Sequence, residues 1–324
     1  MGRPIFTISL DFELHWGRFD KYPVDKFLSY YSETKKAIPK MLALFGDYDV
    51  HATWAAVGGL MADNLEEWKA YSPSILPAYE HQDFSAYHWV ERQQQLFPET
   101  LFAPELVREI LQAKGQEFGC HTYAHYYTCE KGQDMEQFRA DLKACQKLAA
   151  EKFKVNLETL VFPRNQYDNH AIAVAAEEGF VTLRSNPRDW FWRHTEKRSI
   201  VKKLFRTGDT LVRLGKDSFY PLPVSSIDEG PVLLPTSRLL RPYVGNRITH
   251  HRRLARIKSE MRQAAEKGEV YHLWWHPHNF GYFTEDNLQY LKELLGYFTQ
   301  LRGDYGMESL NMKETAGLVR KKAL

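Results

Sequence analysis

Apolar residues follow two rhythms along the chain. Short β-rich runs alternate with longer stretches in which apolar positions recur every three or four residues. Ile5 to Leu10 is the first short run, and His51 to Val57 the second. Glu117 to His121, Leu160 to Pro163, Phe180 to Leu183, Val232 to Leu234 and Val270 to Trp275 follow. Helical spacing predicts helices over Phe27 to Phe45, Met135 to Phe153, His170 to Glu178, Arg252 to Glu266, Asn287 to Leu301 and Lys313 to Lys322. A further helix is expected from Pro104 to Ala113, where proline opens the segment and Gly115 closes it.

Repeated βα units imply a parallel sheet or a β/α barrel. Two stretches break the rhythm. Residues 63–102 are rich in aromatics, Pro and Gln, and residues 188–242 mix Trp, Pro, Gly and basic residues. Both read as insertions or long loops in one domain spanning 1–324, because no repeat or flexible linker divides the chain.

Composition narrows the class. With 324 residues and 44% hydrophobic content, the chain can bury a large core. A formal charge of +2 gives no global drive toward nucleic acid. Three cysteines without a CxxC spacing argue against a disulfide framework and for a reducing compartment. The first residues already read as a strand, not a signal peptide, and no apolar run reaches the roughly 18 residues of a membrane span. The expectation is a cytoplasmic protein without a transmembrane segment. The basic stretches Lys197 to Arg206 and Arg252 to Arg262 leave peripheral contact with an anionic membrane open.

Chemistry gathers where strands end, the face that carries active sites in parallel α/β folds. Asp11 and Glu13 follow the first strand. His121 and His125 follow the third, four residues apart among Tyr123, Tyr126 and Tyr127. Pro163, Arg164, Asn165 and Gln166 follow the fourth. His276 and His278 follow the last long strand. Asp11 and Glu13, two apart on a strand, share one face. Two histidines and one carboxylate make a zinc-type ligand set with positions left for water and substrate. A second carboxylate as base and a distant histidine as acid would complete an amide or ester hydrolase.

The segments SLDFE, HTYAH, FPRNQ and WWHPH resemble, in order and rough spacing, the motifs of the polysaccharide deacetylases, the NodB-homology family also called carbohydrate esterase family four. The resemblance covers mainly residues 4–190 and 268–283. It implies a distorted (β/α)7-type barrel and metal-dependent removal of an N- or O-acetyl group from a sugar. It assigns Asp11 as base, Glu13, His121 and His125 as metal ligands, and His276 as acid, with His278 as its rival. Zinc is the expected ion, with cobalt, nickel or manganese as alternatives. Arg164 takes the place of the arginine that holds the base, although here it follows the proline instead of preceding it. Asn165, Trp190 and His278 are the implied substrate contacts. The expected substrate is an acetylated sugar or glycan precursor, preferably nucleotide- or lipid-linked. Two rivals remain: a hydrolase of small non-sugar amides on the same fold, and a non-catalytic carbohydrate-binding relative.

Overall fold

A computed structural model of the chain describes residues 2–192, 199–212, 214–215, 217–223 and 230–321. The strands are β1 (Ile5–Phe12), β2 (Ala52–Ala56), β3 (Gln116–Cys120), β4 (Thr159–Leu160), β5 (Thr182–Ser185), β6 (Val232–Pro235), β7 (Arg238–Leu239), β8 (Val270–Trp275) and β9 (Glu308–Ser309). The helices are α1 (Leu28–Asp47), α2 (Leu65–Tyr71), α3 (Ala86–Arg92), α4 (Pro104–Gln112), α5 (Met135–Leu148), α6 (Asn169–Glu177), α7 (Ile200–Gly208), α8 (Arg247–Lys267), α9 (Thr284–Tyr305) and α10 (Met312–Lys321). Lys197, Arg198 and Lys322 lie outside the described residues.

All pairings between these strands are parallel, in the order β6-β5-β4-β3-β2-β1-β8-β7, with β9 added beside β1. Only Thr236 and Ser237 separate β6 from β7. Residues 232–239 therefore form one stave, bonded to β5 at its start and to β8 at its end. This shared stave closes the sheet into a seven-stave (β/α) barrel. The stretch 188–242 is accordingly more than an insertion, because its last part is barrel wall. The stretch 63–102 holds α2, α3 and short turns, packed through the Trp68 stack on Trp16 and Tyr87.

Strand β1 is buried along its whole length because both faces are covered. Phe6, Ile8, Leu10 and Phe12 point outward into the main core beneath the helices. Thr7, Ser9 and Asp11 alternate with them and face the barrel interior. There they meet polar partners: Thr315 for Thr7, His272 and Arg184 for Ser9, and Arg184 for Asp11. Helix α10 stoppers the bottom of the barrel, packing Met312, Ala316 and Val319 on Ala55, Val161, Val232 and Leu234. The polar interior is thus closed below and open at the strand C-termini. Among the described residues no helix is long and apolar enough to cross a membrane.

Candidate active site

Glu13 sits one residue beyond β1, where the chain leaves the strand for a short turn. A Cβ at residue 17 would lie 1.8 Å from Glu13 Oε2, so glycine there makes room for the carboxylate. His121 follows β3 directly. Its Nδ1 lies 2.8 Å from the Val161 carbonyl oxygen, which only accepts, so that nitrogen carries the hydrogen. In the neutral ring the other nitrogen, Nε2, points a lone pair at Glu13 Oε1, 3.1 Å away. His125 Nε2 approaches the same oxygen at 3.2 Å. Burial pushes the His125 ring down to about 4 against the pull of Glu13, so it is neutral near pH 7.

His125 Nδ1 lies 3.1 Å from the Tyr127 hydroxyl, which can donate or accept; with the His125 hydrogen on Nδ1, three acceptor atoms face one another and need a positive charge between them. A proton or a metal ion would serve. The donor set of two imidazoles and a carboxylate, buried and within 4.8 Å of one another, fits a divalent ion of the zinc type. Asp11, Glu13 and His276 form an overlapping set through the same Glu13.

The loop that carries the histidine pair is held from α5. Asp141 is buried there and accepts hydrogen bonds from the backbone N–H groups of Tyr123 (2.6 Å) and Ala124 (3.1 Å). Tyr123, Tyr126 and Tyr127 are all buried, so they pack behind and beside the loop. Tyr123 lies parallel to Trp68 and donates to its carbonyl. Of eight non-glycine residues with positive φ among those described, Leu14, Thr122, His125, Arg164 and Asn165 flank this centre. Backbone strain is therefore concentrated where the polar groups meet.

Burial pushes the Asp141 carboxyl up to about 7, opposed by its two amide bonds. A carboxyl raised on folding binds its proton more tightly in the folded state. Its contribution to stability is full below an unfolded value of about 4 and is lost as pH rises through about 7. Melting midpoints across that window should fall more steeply in the wild type than in Asp141→Asn. Parallel curves would contradict this.

Asp11 is gripped by Arg184, a residue the strand-end reading passed over. Both guanidinium nitrogens of its fork reach the carboxylate, Nη1 to Oδ1 and Nη2 to Oδ2 at 2.7 Å. Nη1 also donates to Ser9 (3.2 Å) and Nη2 to Asn165 Oδ1 (3.1 Å), while the fork lies over the Trp274 ring at 4.6 Å. His272 completes the support. Its Nδ1 donates to the Pro235 carbonyl at 3.0 Å, which leaves Nε2 to accept from the Ser9 hydroxyl at 2.8 Å. Burial alone would raise the Asp11 carboxyl, but Arg184 and then His276 hold it below its ordinary value. Glu13 is held well below its own by His276, His121 and His125, again against burial.

Arg164 does not touch Asp11. It binds Asp20, and its guanidinium lies 3.9 Å over the Tyr127 ring. The place expected for it belongs to Arg184, one strand further on. Asn165 bonds to that arginine. His276 stands at the open side with Nε2 3.7 Å from Asp11 Oδ2 and 3.6 Å from Glu13 Oε1. His278 is buried, its Nδ1 3.8 Å from Glu13 Oε2 and without a hydrogen-bond partner among the described residues. Burial drives its ring down to about 3. Trp190 does not join the centre: it packs on Phe191 and Phe205 and is 47% exposed. Trp192 instead reaches Trp274, which adjoins His276.

A groove of about 570 Å³ runs beside the site between Phe19, Asp20, Tyr22, Trp89 and Gln93, and Asp20 ties it to Arg164. A second cavity, of about 690 Å³, opens near Gln116, Glu117 and Lys313 at the other end of the barrel. Of its three carboxylates, Glu117 is already bonded to Thr53, Thr159 and the Lys313 amide, Glu158 to Lys313 and Glu314 to His51.

Comparison with known proteins bears on the fold and the family. No curated protein matches the sequence. Among solved structures, a candidate polysaccharide deacetylase from Mycobacterium smegmatis superposes with a TM-score of 0.62 at 16% identity, covering 100% of this chain and 93% of its own. A candidate polysaccharide deacetylase from Pseudomonas aeruginosa PAO1 gives 0.57 at 13%, covering 96% and 90%. The allantoinase PuuE gives 0.56 at 11%, covering 96% and 89%. At these identities the likeness is one of fold. The sequence model for polysaccharide deacetylase matches residues 18–183, just over half of the chain. The chain therefore belongs to the polysaccharide deacetylase family.

Proposed function

We propose that the protein is a metal-dependent hydrolase that removes an acetyl group from the nitrogen of an amino sugar or glycan precursor. The observation that carries this reading is the convergence of Glu13, His121 and His125 beside a separately held carboxylate, Asp11. Glu13, His121 and His125 would hold one divalent ion, zinc before cobalt, nickel or manganese. Such an ion, when bound, supplies positive charge that polarises a carbonyl oxygen and acidifies water.

The chain's own groups supply the proton transfers. Asp11 is a carboxylate fixed by Arg184, and it accepts the proton of the attacking water. The water oxygen bonds to the acetyl carbon, and the carbon–nitrogen bond breaks. His276, at the open side of the site, delivers a proton to the departing nitrogen. The products are acetate and a free amine. Asn165 acts on this account through Arg184, not by touching sugar. We place the reaction in a single domain.

The deciding assay offers the purified protein N- and O-acetylated sugars and small cyclic amides, and measures acetate release and ring opening. Acetate from the sugars supports the reading. Ring opening alone would transfer the same machinery to the small-amide alternative. No turnover of either class by metal-loaded protein would leave the non-catalytic, carbohydrate-binding reading.

A further inference from the structure

Two sets of arginines lie along the β7–α8 side of the barrel, and they differ. Arg238 and Arg256 are fully partnered by Asp209 and Glu260. Arg206 on α7, Arg241 just past β7 and Arg253 on α8 pair with no carboxylate among the described residues. The Nε atoms of Arg241 and Arg253 are buried and make no hydrogen bond. The three share one region: the Leu240 N–H bonds the carbonyl of Trp274, whose ring meets the Trp192 ring that Arg206 covers, and Tyr243 meets His250, one turn before Arg253, at 5.6 Å. Burial and then Arg253 and Arg206 hold the Arg241 guanidinium below its ordinary value. Guanidinium groups do not escape by losing a proton. Three such charges gathered from three elements, with the acids close by already used on their neighbours, leave a positive site uncompensated among the described residues.

Its place relative to the chemistry is defined by stacked rings. The Arg206 guanidinium lies 5.3 Å from the Trp192 ring, Trp192 meets Trp274 at 6.4 Å, and Trp274 meets His276 at 5.7 Å. Arg241 leaves β7 at the strand end that faces the open mouth. The positive site is therefore beside the reaction centre, on the same face of the barrel.

We propose that Arg206, Arg241 and Arg253 form a phosphate subsite that takes the phosphate or diphosphate joining an acetylated sugar to its carrier. Planar guanidinium forks match phosphate oxygens, and an anion bound among them relieves their mutual repulsion. This deepens the deacetylase reading and rests on it for the identity of the sugar. The subsite excludes neither a nucleoside nor a lipid as carrier, since both present the same phosphate.

Calorimetric titration of the full chain with inorganic pyrophosphate at low salt tests the subsite. Binding is expected. It should weaken about tenfold in Arg241→Gln and in the Arg206→Gln/Arg253→Gln double variant, and stay unchanged in Arg262→Gln, an exposed arginine of α8 paired with Glu266. Melting curves identify folded variants, and Arg241→Lys, which keeps the charge but not the fork, should bind at an intermediate level. No binding of pyrophosphate, or undiminished binding by folded glutamine variants, overturns the subsite. Tighter binding of uridine diphosphate than of pyrophosphate supports a nucleoside carrier. Arginine-dependent sedimentation with phosphatidylcholine vesicles containing a polyprenyl phosphate supports a lipid carrier. Absence of both responses overturns the substrate role. These readouts do not involve acetate, so a failed deacetylase assay leaves them standing, and their failure leaves the deacetylase reading standing.

Discussion

Asp11→Asn is expected to remove acetate release almost entirely while the bound metal stays. The substitution keeps the shape of the side chain and deletes its ability to take a proton from water. It also turns an amide NH2 toward the Arg184 fork, where one of two charge-assisted bonds becomes a contact between donors. Loss of a positioned general base costs about a thousandfold in turnover. Glu13, His121 and His125 are untouched, so metal content should match the wild type. A variant that keeps turnover within about tenfold would show that Asp11 is not the base.

The second large effect is expected at Arg184. It is 2% exposed and is the partner that offsets the buried charge of Asp11. Arg184→Leu leaves that carboxylate uncompensated, and removing one member of such a pair destabilises by about 3–5 kcal/mol. The surviving Asp11 should also change its titration. Burial raises its carboxyl, and the main opposing charge is gone. Activity of Arg184→Leu should therefore fall away at a higher pH on the acid side than in the wild type. Arg184→Lys restores the charge without the two-pronged geometry, so it should recover part of the stability and shift the acid limb back. An unchanged pH profile in the leucine variant would assign Arg184 a structural role only.

The positions of these two residues show how far a sequence can be read. Asp11, Glu13, His121, His125 and His276 lie at strand ends marked by strong β-rich runs, and the barrel brings all five together. Arg184 lies at a strand end too, in VTLRS, and the same rule applied to that strand would have found it. Arg164 answers to the same rule because it follows the fourth strand beside a proline. That strand is only two residues long and the chain then turns through left-handed backbone at Arg164 and Asn165, which sends Arg164 to Asp20. Local spacing does not encode that change of direction.

The shared stave was hidden for a related reason. VLLP reads as one short strand, but its continuation, Arg238–Leu239, pairs with β8, and only the closed barrel makes both halves one wall. The exchange of Trp190 for Trp192 as the ring of that segment that reaches Trp274 depends on a short turn over residues 190–192. Helix α7 carries Ile200, Val201, Leu204 and Phe205 at helical spacing yet buries none of its residues, and it lies inside the stretch read as a long loop. The tyrosines of HTYAHYY were ambiguous between groove and core because an aromatic ring suits both. The Trp16–Trp68–Tyr123 stack, built from three distant segments, places Tyr123 in the core.

The central claim is that Glu13, His121 and His125 together hold one divalent ion. Metal content per chain, measured on the wild type and on His121→Ala and His125→Ala after identical loading with zinc and exhaustive dialysis, tests it most directly. About one ion in the wild type and a small fraction of that in each folded variant is the result predicted, since a three-residue set loses a third of its protein donors with each change. Equal metal content in all three proteins would contradict the site.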